Sequence, residues 1–543
     1  MTSLVFLAFS LPFFQTQAQG TVRKHLIYFT DKANSPYSIS APEAYLSPAA
    51  LARRARQQIA ITGRDLPVNP AYVTNLKSNG ATVLYTSKWF NGAVVLCDSA
   101  RLQQLMGLPF VKSTFTLNRY KPASAPHEKD PVTSAQQRTT ASRKDYGISF
   151  KQADMIGATA MHDAGFRGEG MTIAVFDSGF PGVNQLQPFA HLYQNNQIKG
   201  TFDFVDRDNS VYEKNSHGTM TFSTMGAYQL GTFIGTAYKA NYYLFITEDV
   251  NSEHPIEEVN WLLAAEYADS AGVDVINSSL GYSTFDQPSQ NYTYADMNGR
   301  NAISTRAADF AAATGMLVVT SAGNEGQFGW RFITAPADAD SVLTVGAVDS
   351  LGNKAGFSSF GPTSDGRIKP NLVAQGQRSA VVFPTGMIAT SNGTSFSSPI
   401  LCGMAAGFWQ ANPNLTNLEV ISILQQSASR ANNPDNNIGY GIPNFLTAQQ
   451  IVKGPEPGKG ISYFPNPLGR GPFTIRFDNK AFAGEVKIEI YDRLGRLVEK
   501  ETHFKVTGED LEVLPVGAVS AGLYFMNVSW SDQNKTFRLI RLP

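Results

Sequence analysis

The chain has 543 residues, too many for one ordinary hydrophobic core, so about three domains are expected. Lys plus Arg and Asp plus Glu both number 44, which argues against a nucleic-acid binder or a polybasic membrane-surface protein. Only 16% of residues are charged while Gly numbers 46, a composition of compact, loop-rich domains and not of a disordered chain.

Leu4 to Phe14 is a short apolar run followed by the small polar stretch Gln15 to Gln19. It is too short to span a bilayer but matches the core of a secretory signal peptide over 1–18, with cleavage near Ala18. Met1-Thr2-Ser3 lacks the usual side-chain cation, and a buried N-terminal strand is the alternative. Residues 21–118 alternate strand-like and helix-like stretches. His25 to Phe29, Ala81 to Tyr85, Ala93 to Leu96 and Val111 to Leu117 read as strands, and Pro48 to Gln58 and Ser99 to Met106 as helices. That order predicts a small α+β domain. Residues 119–145 are Pro, Ser, Thr, Ala, Gln and charge, an exposed linker of the kind proteases nick.

Residues 146–452 carry near-continuous apolar strands, Met171 to Phe176, Val273 to Asn277 and Gly315 to Val319. Between them Ile256 to Ala271 and Ser304 to Thr314 repeat with helical period. Buried strands alternating with helices predict a parallel sheet covered on both faces, with functional residues at the carboxyl ends of its strands. Residues 453–460 are a Gly- and Pro-rich linker, and 461–543 reads as short alternating strands of a β-sandwich, among them Val486 to Tyr491 and Gly522 to Val528. The two cysteines, Cys97 and Cys402, fall in different domains and are expected to be buried free thiols.

Four residues of the middle domain carry candidate chemistry. Asp177 follows a strand directly and can accept from a histidine ring; taken alone it is equally a turn or cap residue. His217 opens a helix-like stretch, Thr219 to Met225, and Gly218 beside it leaves backbone room. Ser395 precedes the helix Phe396 to Trp409, with Pro399 expected in the first turn, so its own N–H faces the positive end of a helix dipole. A helix N-cap serine is the plain alternative. Asn324 lies where a buried strand empties into a glycine-flanked turn and can offer an amide N–H to an oxyanion, or simply tolerate left-handed backbone angles.

Together the words Phe176-Asp177-Ser178-Gly179, His217-Gly218-Thr219, Ser321-Ala322-Gly323-Asn324 and Gly393-Thr394-Ser395-Phe396-Ser397-Ser398-Pro399 resemble the subtilisin-like (subtilase) serine peptidases. The order Asp, His, Asn, Ser is that of the family. Phe396-Ser397-Ser398 departs from the commoner Met-Ala-Thr. The resemblance implies an α/β, subtilisin-like three-layer domain around a parallel sheet. It implies a serine endopeptidase with Asp177, His217 and Ser395 as triad and Asn324 in the oxyanion hole, working through an acyl-enzyme and requiring no metal or other cofactor. Ser278-Ser279-Leu280-Gly281 resembles the segment that pairs with an extended substrate, by strand addition, and Gly323 would share in substrate binding. A catalytically inactive, surface-binding protein on the same fold is the alternative. A serine-carboxyl peptidase is disfavoured by His217-Gly218-Thr219.

By the same resemblance 21–118 is a propeptide, an intramolecular inhibitor removed by cleavage near Arg138 or Arg143-Lys144; a permanent accessory domain is its rival. Tyr463-Phe464-Pro465-Asn466-Pro467, Ile488 to Arg496 and Ala521-Gly522-Leu523-Tyr524 resemble the C-terminal sorting domain of type IX secretion, with a carbohydrate- or surface-binding module as rival. The expected partners are protein or peptide substrates, the propeptide and the secretion machinery, with no nucleic acid, and the expected location is secreted or cell surface. Asp203, Asp206, Asp208 and Asn209 form an oxygen-rich cluster in which structural calcium is an option and a solvated loop the plainer reading.

Overall fold

A computed structural model of the chain describes residues 21–118, 145–287, 289–453, 460–468, 472–493, 495–513, 520–531 and 533–541. The signal segment 1–18 and most of both linkers lie outside the described residues.

The N-terminal domain is an antiparallel sheet in the order Thr82–Ser87, Gly92–Cys97, Arg23–Phe29, Val111–Thr116. Its middle strands are apolar at consecutive positions because both faces are covered. Ile27 and Val95 face the domain's own helices, Pro70–Ser78 and Ser99–Met106, through Leu76 and Leu105. Leu26 and Val94 join the core of the next domain, with Trp89, Phe90 and Leu117. The helix Pro70–Ser78 was not visible as an apolar period; it is set by Asn69, whose side chain caps Ala71 N, and by Pro70 at its first position.

A seven-stranded parallel sheet forms the middle domain, in the order Leu372–Gln375, Leu343–Val348, Leu317–Ser321, Val275–Ser278, Thr172–Asp177, Asn241–Ile246, Ile198–Asp203. Helices Ile256–Ala271 and Ile303–Ala313 cover one face and join the N-terminal domain in a common core. The helix Thr394–Ala411 contacts four of these strands and is buried through Trp409, which its small and apolar sequence requires. This confirms the three-layer architecture. The contact between the first two domains is also charged. Asp269, fully buried, pairs with Arg53 at 2.6 Å, Arg54 at 2.9 Å and Lys88 at 2.7 Å. Glu266 accepts from Ser87 Oγ, Lys88 N and Trp89 N at 2.6–3.0 Å.

The chain after Phe445 is a separate compact unit. It holds a three-stranded sheet (Ile461–Phe464, Phe473–Phe477, Leu511–Val513) and a four-stranded one (Leu497–Lys505, Gly484–Asp492, Gly522–Trp530, Gln533–Arg541), both antiparallel. Alternate residues of both, from Phe473 and Ile475 to Ile488 and Val528, share one core, so the unit is a β-sandwich. Cys97 and Cys402 are buried and free, as expected.

Candidate active site

Three neighbouring parallel strands end side by side at Asp177, Ser278 and Ser321, and a cleft of about 570 Å³ opens at that edge. His217, Ser279, Leu280, Gly281, Gly323, Asn324 and Ser395 all line it.

Asp177 is fully buried at its strand end. Its Oδ1 accepts from His217 Nδ1 at 2.8 Å, from Ser178 N at 2.8 Å and from Ser178 Oγ at 3.2 Å; its Oδ2 accepts from Thr221 Oγ1 at 2.9 Å. Four donors at fixed positions leave the carboxylate one orientation. Thr221 stands four residues after His217 on the helix His217–Gly226, one turn on and on the same face, so a single helix supplies both side chains that grip Asp177. The spacing was readable in the sequence once the helix was placed, but nothing marked Thr221 as functional. Gly218 is required by close approach: a Cβ there would stand 2.2 Å from Gly179 O and 3.0 Å from Asp177 Cβ. With Nδ1–H given to Asp177, the ring's Nε2 is left as an acceptor.

Ser395 is the second residue of the helix Thr394–Ala411, so the helix starts two residues earlier than the sequence suggested. Pro399 lies in the second turn, not the first. It therefore brings no N–H to the carbonyl of Ser395, four residues back. Ser279 Oγ donates to that carbonyl instead, at 2.9 Å. Ser279 Oγ in turn accepts from Asn277 Nδ2 at 3.2 Å, and Asn277 Oδ1 accepts from Ser398 Oγ at 3.1 Å. This chain of polar side chains ties the start of the serine helix to the strand Val275–Ser278; the sequence reading missed Asn277 and Ser398. Ser395 Oγ reaches Ser279 O at 3.4 Å.

Asn324 Oδ1 accepts from Thr394 N at 2.9 Å and Thr394 Oγ1 at 3.1 Å, and Gly323 N donates to the same hydroxyl at 3.2 Å. Holding the amide by its oxygen turns its NH₂ the other way, and Asn324 lines the cleft with Ser395. Among the predicted substrate-binding residues, Ser278 stays outside the cleft. Its hydroxyl accepts from Trp261 Nε1 at 2.9 Å in the core, and its backbone lies within the sheet between Phe176 and Thr320.

The oxygen-rich loop is held by a protein cation. Lys214 Nζ pairs with Asp203 and, at 2.6 Å, with Asp206, while Asp208 Oδ1 and Asn209 O accept from Ser210 N and Thr201 Oγ1. The described residues that could hold a metal ion are Glu248, Glu253 and Glu257, whose carboxylate oxygens lie within 4.8 Å of one another. Glu248 accepts from Tyr282 OH at 2.5 Å; burial first, then this carboxylate, holds the Tyr282 hydroxyl protonated.

A histidine oriented by a buried aspartate, sharing a strand-end cleft with a helix-start serine, defines the class of serine hydrolases. The chain belongs to the subtilase family, whose model matches residues 168–441. The peptidase S8 propeptide domain of Bacteroidota matches 24–135, and the secretion system C-terminal sorting domain matches 462–541. Subtilisin of Bacillus pumilus is 31% identical over 287 residues, 52% of this chain and 91% of that protein. M-protease of Shouchella clausii is 30% identical over 328 residues, 59% and 75% of the two chains. Subtilisin NAT of Bacillus subtilis subsp. natto is 28% identical over 380 residues, 69% and 85%. The chain is thus a subtilisin-like serine endopeptidase with a propeptide and a type IX secretion sorting domain. Its place is outside the cell or on its surface, and its partners are protein substrates, its propeptide and the secretion machinery. No helix among the described residues is long and apolar enough to cross a membrane.

Proposed function

We propose that Asp177, His217 and Ser395 are the catalytic triad and that Asn324 with the Ser395 N–H binds the oxyanion. The observation that carries this reading is the 2.8 Å bond to a buried, fully donated Asp177 from Nδ1 of His217, which shares its cleft with Ser395. His217 Nε2 accepts the Ser395 proton as Oγ attacks the scissile carbonyl, and the imidazolium that forms is stabilised by Asp177. The negative oxygen of the tetrahedral intermediate meets the Asn324 NH₂ and the N–H at the start of the serine helix, a pair of donors worth about 3–4 kcal/mol each when one is removed. His217 returns the proton to the leaving amine, and water, activated the same way, hydrolyses the acyl-enzyme.

Leu280, Gly281 and Gly323, with Ser279, form the walls along which an extended peptide adds as a strand. The enzyme domain corresponds to 146–452, freed by cleavage within 119–145, and 461–543 serves export. Ser395→Ala is expected to lower peptide hydrolysis roughly a millionfold. Undiminished cleavage by that variant would overturn the assignment.

A further inference from the structure

The cleft carries more charge than hydrolysis requires. Glu248, Glu253, Asp286 and Glu325 line it, and among the described lining residues there is no Lys or Arg. Glu253 and Asp286 are locked together: Glu253 N donates to Asp286 Oδ2 at 3.0 Å and Asp286 N to Glu253 O at 2.8 Å. With Glu248 held by Tyr282, the Glu248 and Asp286 carboxylates are anchored on the wall of a concave site, where low-dielectric surroundings focus their field.

A second feature lies in the same cleft as Ser395. A Cβ on Gly281 would come within 2.3 Å of Thr334 Oγ1, and one on Gly323 within 3.1 Å, so this hydroxyl sits between the two glycines that flank the cleft. Thr334 is 4% exposed, and its Oγ1 has no hydrogen-bond partner among the described residues. A buried hydroxyl without a partner is unfavourable, and an aliphatic side chain entering the pocket would leave it so. An ammonium or guanidinium would donate to it. Glu325, whose N–H is held by Ser359 Oγ at 2.9 Å beside the same Gly323, supplies the balancing charge.

The chain itself contains a matching occupant. Residues 119–144 carry Arg119, Lys121, Lys129, Arg138, Arg143 and Lys144 against only Glu128 and Asp130. This segment follows Asn118, whose Oδ1 accepts from Lys24 N at 2.8 Å, and Lys24 lies within electrostatic reach of Asp249, the neighbour of Glu248.

We propose that the cleft selects peptide strands bearing Arg or Lys next to the scissile bond. Thr334 and Glu325 read that side chain, Glu248, Glu253 and Asp286 read further cations along the strand, and the segment 119–144 is the first such substrate. This rests on the assignment of Ser395 as nucleophile. The test takes the active enzyme as it matures from the full chain and compares quenched peptides differing only in Arg, Lys, Leu or Glu before the scissile bond, at low and high salt. The expected kcat/KM for Arg and Lys exceeds that for Leu by about tenfold or more, with the ratio shrinking as salt screens the carboxylates. The Arg-to-Leu ratio is expected to fall several-fold in Glu325→Gln and in Thr334→Val, and the new N-terminus of the mature enzyme to follow an Arg or Lys of 119–144. A preference for Leu in the parent, or an unchanged ratio in both variants, overturns the inference. Labelling by a fluorophosphonate separates the two readings. Labelled Ser395 without cationic preference sinks the specificity alone; selective cleavage after Arg without labelling of Ser395 sinks the nucleophile assignment.

Discussion

Replacing Asp269 with Ala should loosen the N-terminal domain from the enzyme more than any other single change at their contact. Burial by itself would raise the Asp269 pKa, but Lys88, Arg53 and Arg54 outweigh it and hold the carboxyl below its ordinary range, so it is ionised at neutral pH. Arg53 and Arg54 are each 1% exposed, so neither can turn to water when their partner is lost. Arg53 retains the carbonyls of Val273 and Thr314, and Arg54 retains Asp65, but Lys88, whose Nζ donates to Asp269 and to Ser270 Oγ, keeps only the latter of these two bonds. Stranding buried cations in this way typically costs about 3–5 kcal/mol, which is roughly two to almost four orders of magnitude in the docking equilibrium. The comparison is best made on the full chain carrying Ser395→Ala, so that processing does not intervene, by urea unfolding and by the hydrogen exchange of the strand Gly92–Cys97. The account expects Asp269→Ala to lower the midpoint and to release protection of that strand well before the parallel sheet. Ser87→Ala, which removes one neutral donor to Glu266, should cost only about 1 kcal/mol. A loss under 1 kcal/mol for Asp269→Ala, or no difference between the two variants, would refute the reasoning.

Removal of the Ser279 hydroxyl strands the Ser395 carbonyl, because Pro399 has no N–H to offer it. Ser279→Ala should therefore lower kcat about tenfold or more while leaving the melting temperature within a few degrees, and an unchanged kcat would show that this bond does not position Ser395 for reaction. Two buried groups predict opposite pH slopes. Burial pushes Glu258 up to about 7 despite donors from Tyr292 and Ser304, so its folded pKa lies above the ordinary 4.5: its favourable contribution is whole below pH 4.5 and is lost as pH rises to 7. Burial pushes Lys369 down to about 7 from 10.5, so the folded chain disfavours its cation and stability rises between pH 7 and 10.5. Each slope approaches about 1.4 kcal/mol per pH unit within its window. Glu258→Gln should flatten the acid limb and Lys369→Met the alkaline one, as read by urea midpoints across pH.

Much of the site was legible because subtilase chemistry is written in short contiguous words. Asp177, His217, Ser395 and Asn324 each sit within three to seven residues that specify a strand end or a helix start, and the apolar runs around them fixed the sheet. What stayed hidden depends on contacts between distant segments. The strands Leu343–Val348 and Leu372–Gln375 are short and flanked by loops, with no helix of their own period between them. Ser278 looked like a cleft residue from its neighbours, and only packing against Trp261 sends its side chain the other way. Pro399 seemed to mark a first turn because proline is tolerated there. Its tolerance one turn later depends on a hydroxyl 120 residues upstream in sequence, Ser279 for Ser395's carbonyl and Pro399's missing donor, which no local pattern encodes. The oxygen-rich loop had the composition of a cation site, and Lys214, five or more residues further on, fills that role from within the chain.

Ser395 is proposed to be the nucleophile and His217 its base. Active-site labelling with a fluorophosphonate, located by peptide mass spectrometry, tests it most directly. The account predicts one phosphonyl group per enzyme, on Ser395, formed rapidly in the parent, slowed by orders of magnitude in His217→Ala and absent in Ser395→Ala. Labelling of another residue, or a rate indifferent to His217, would contradict it.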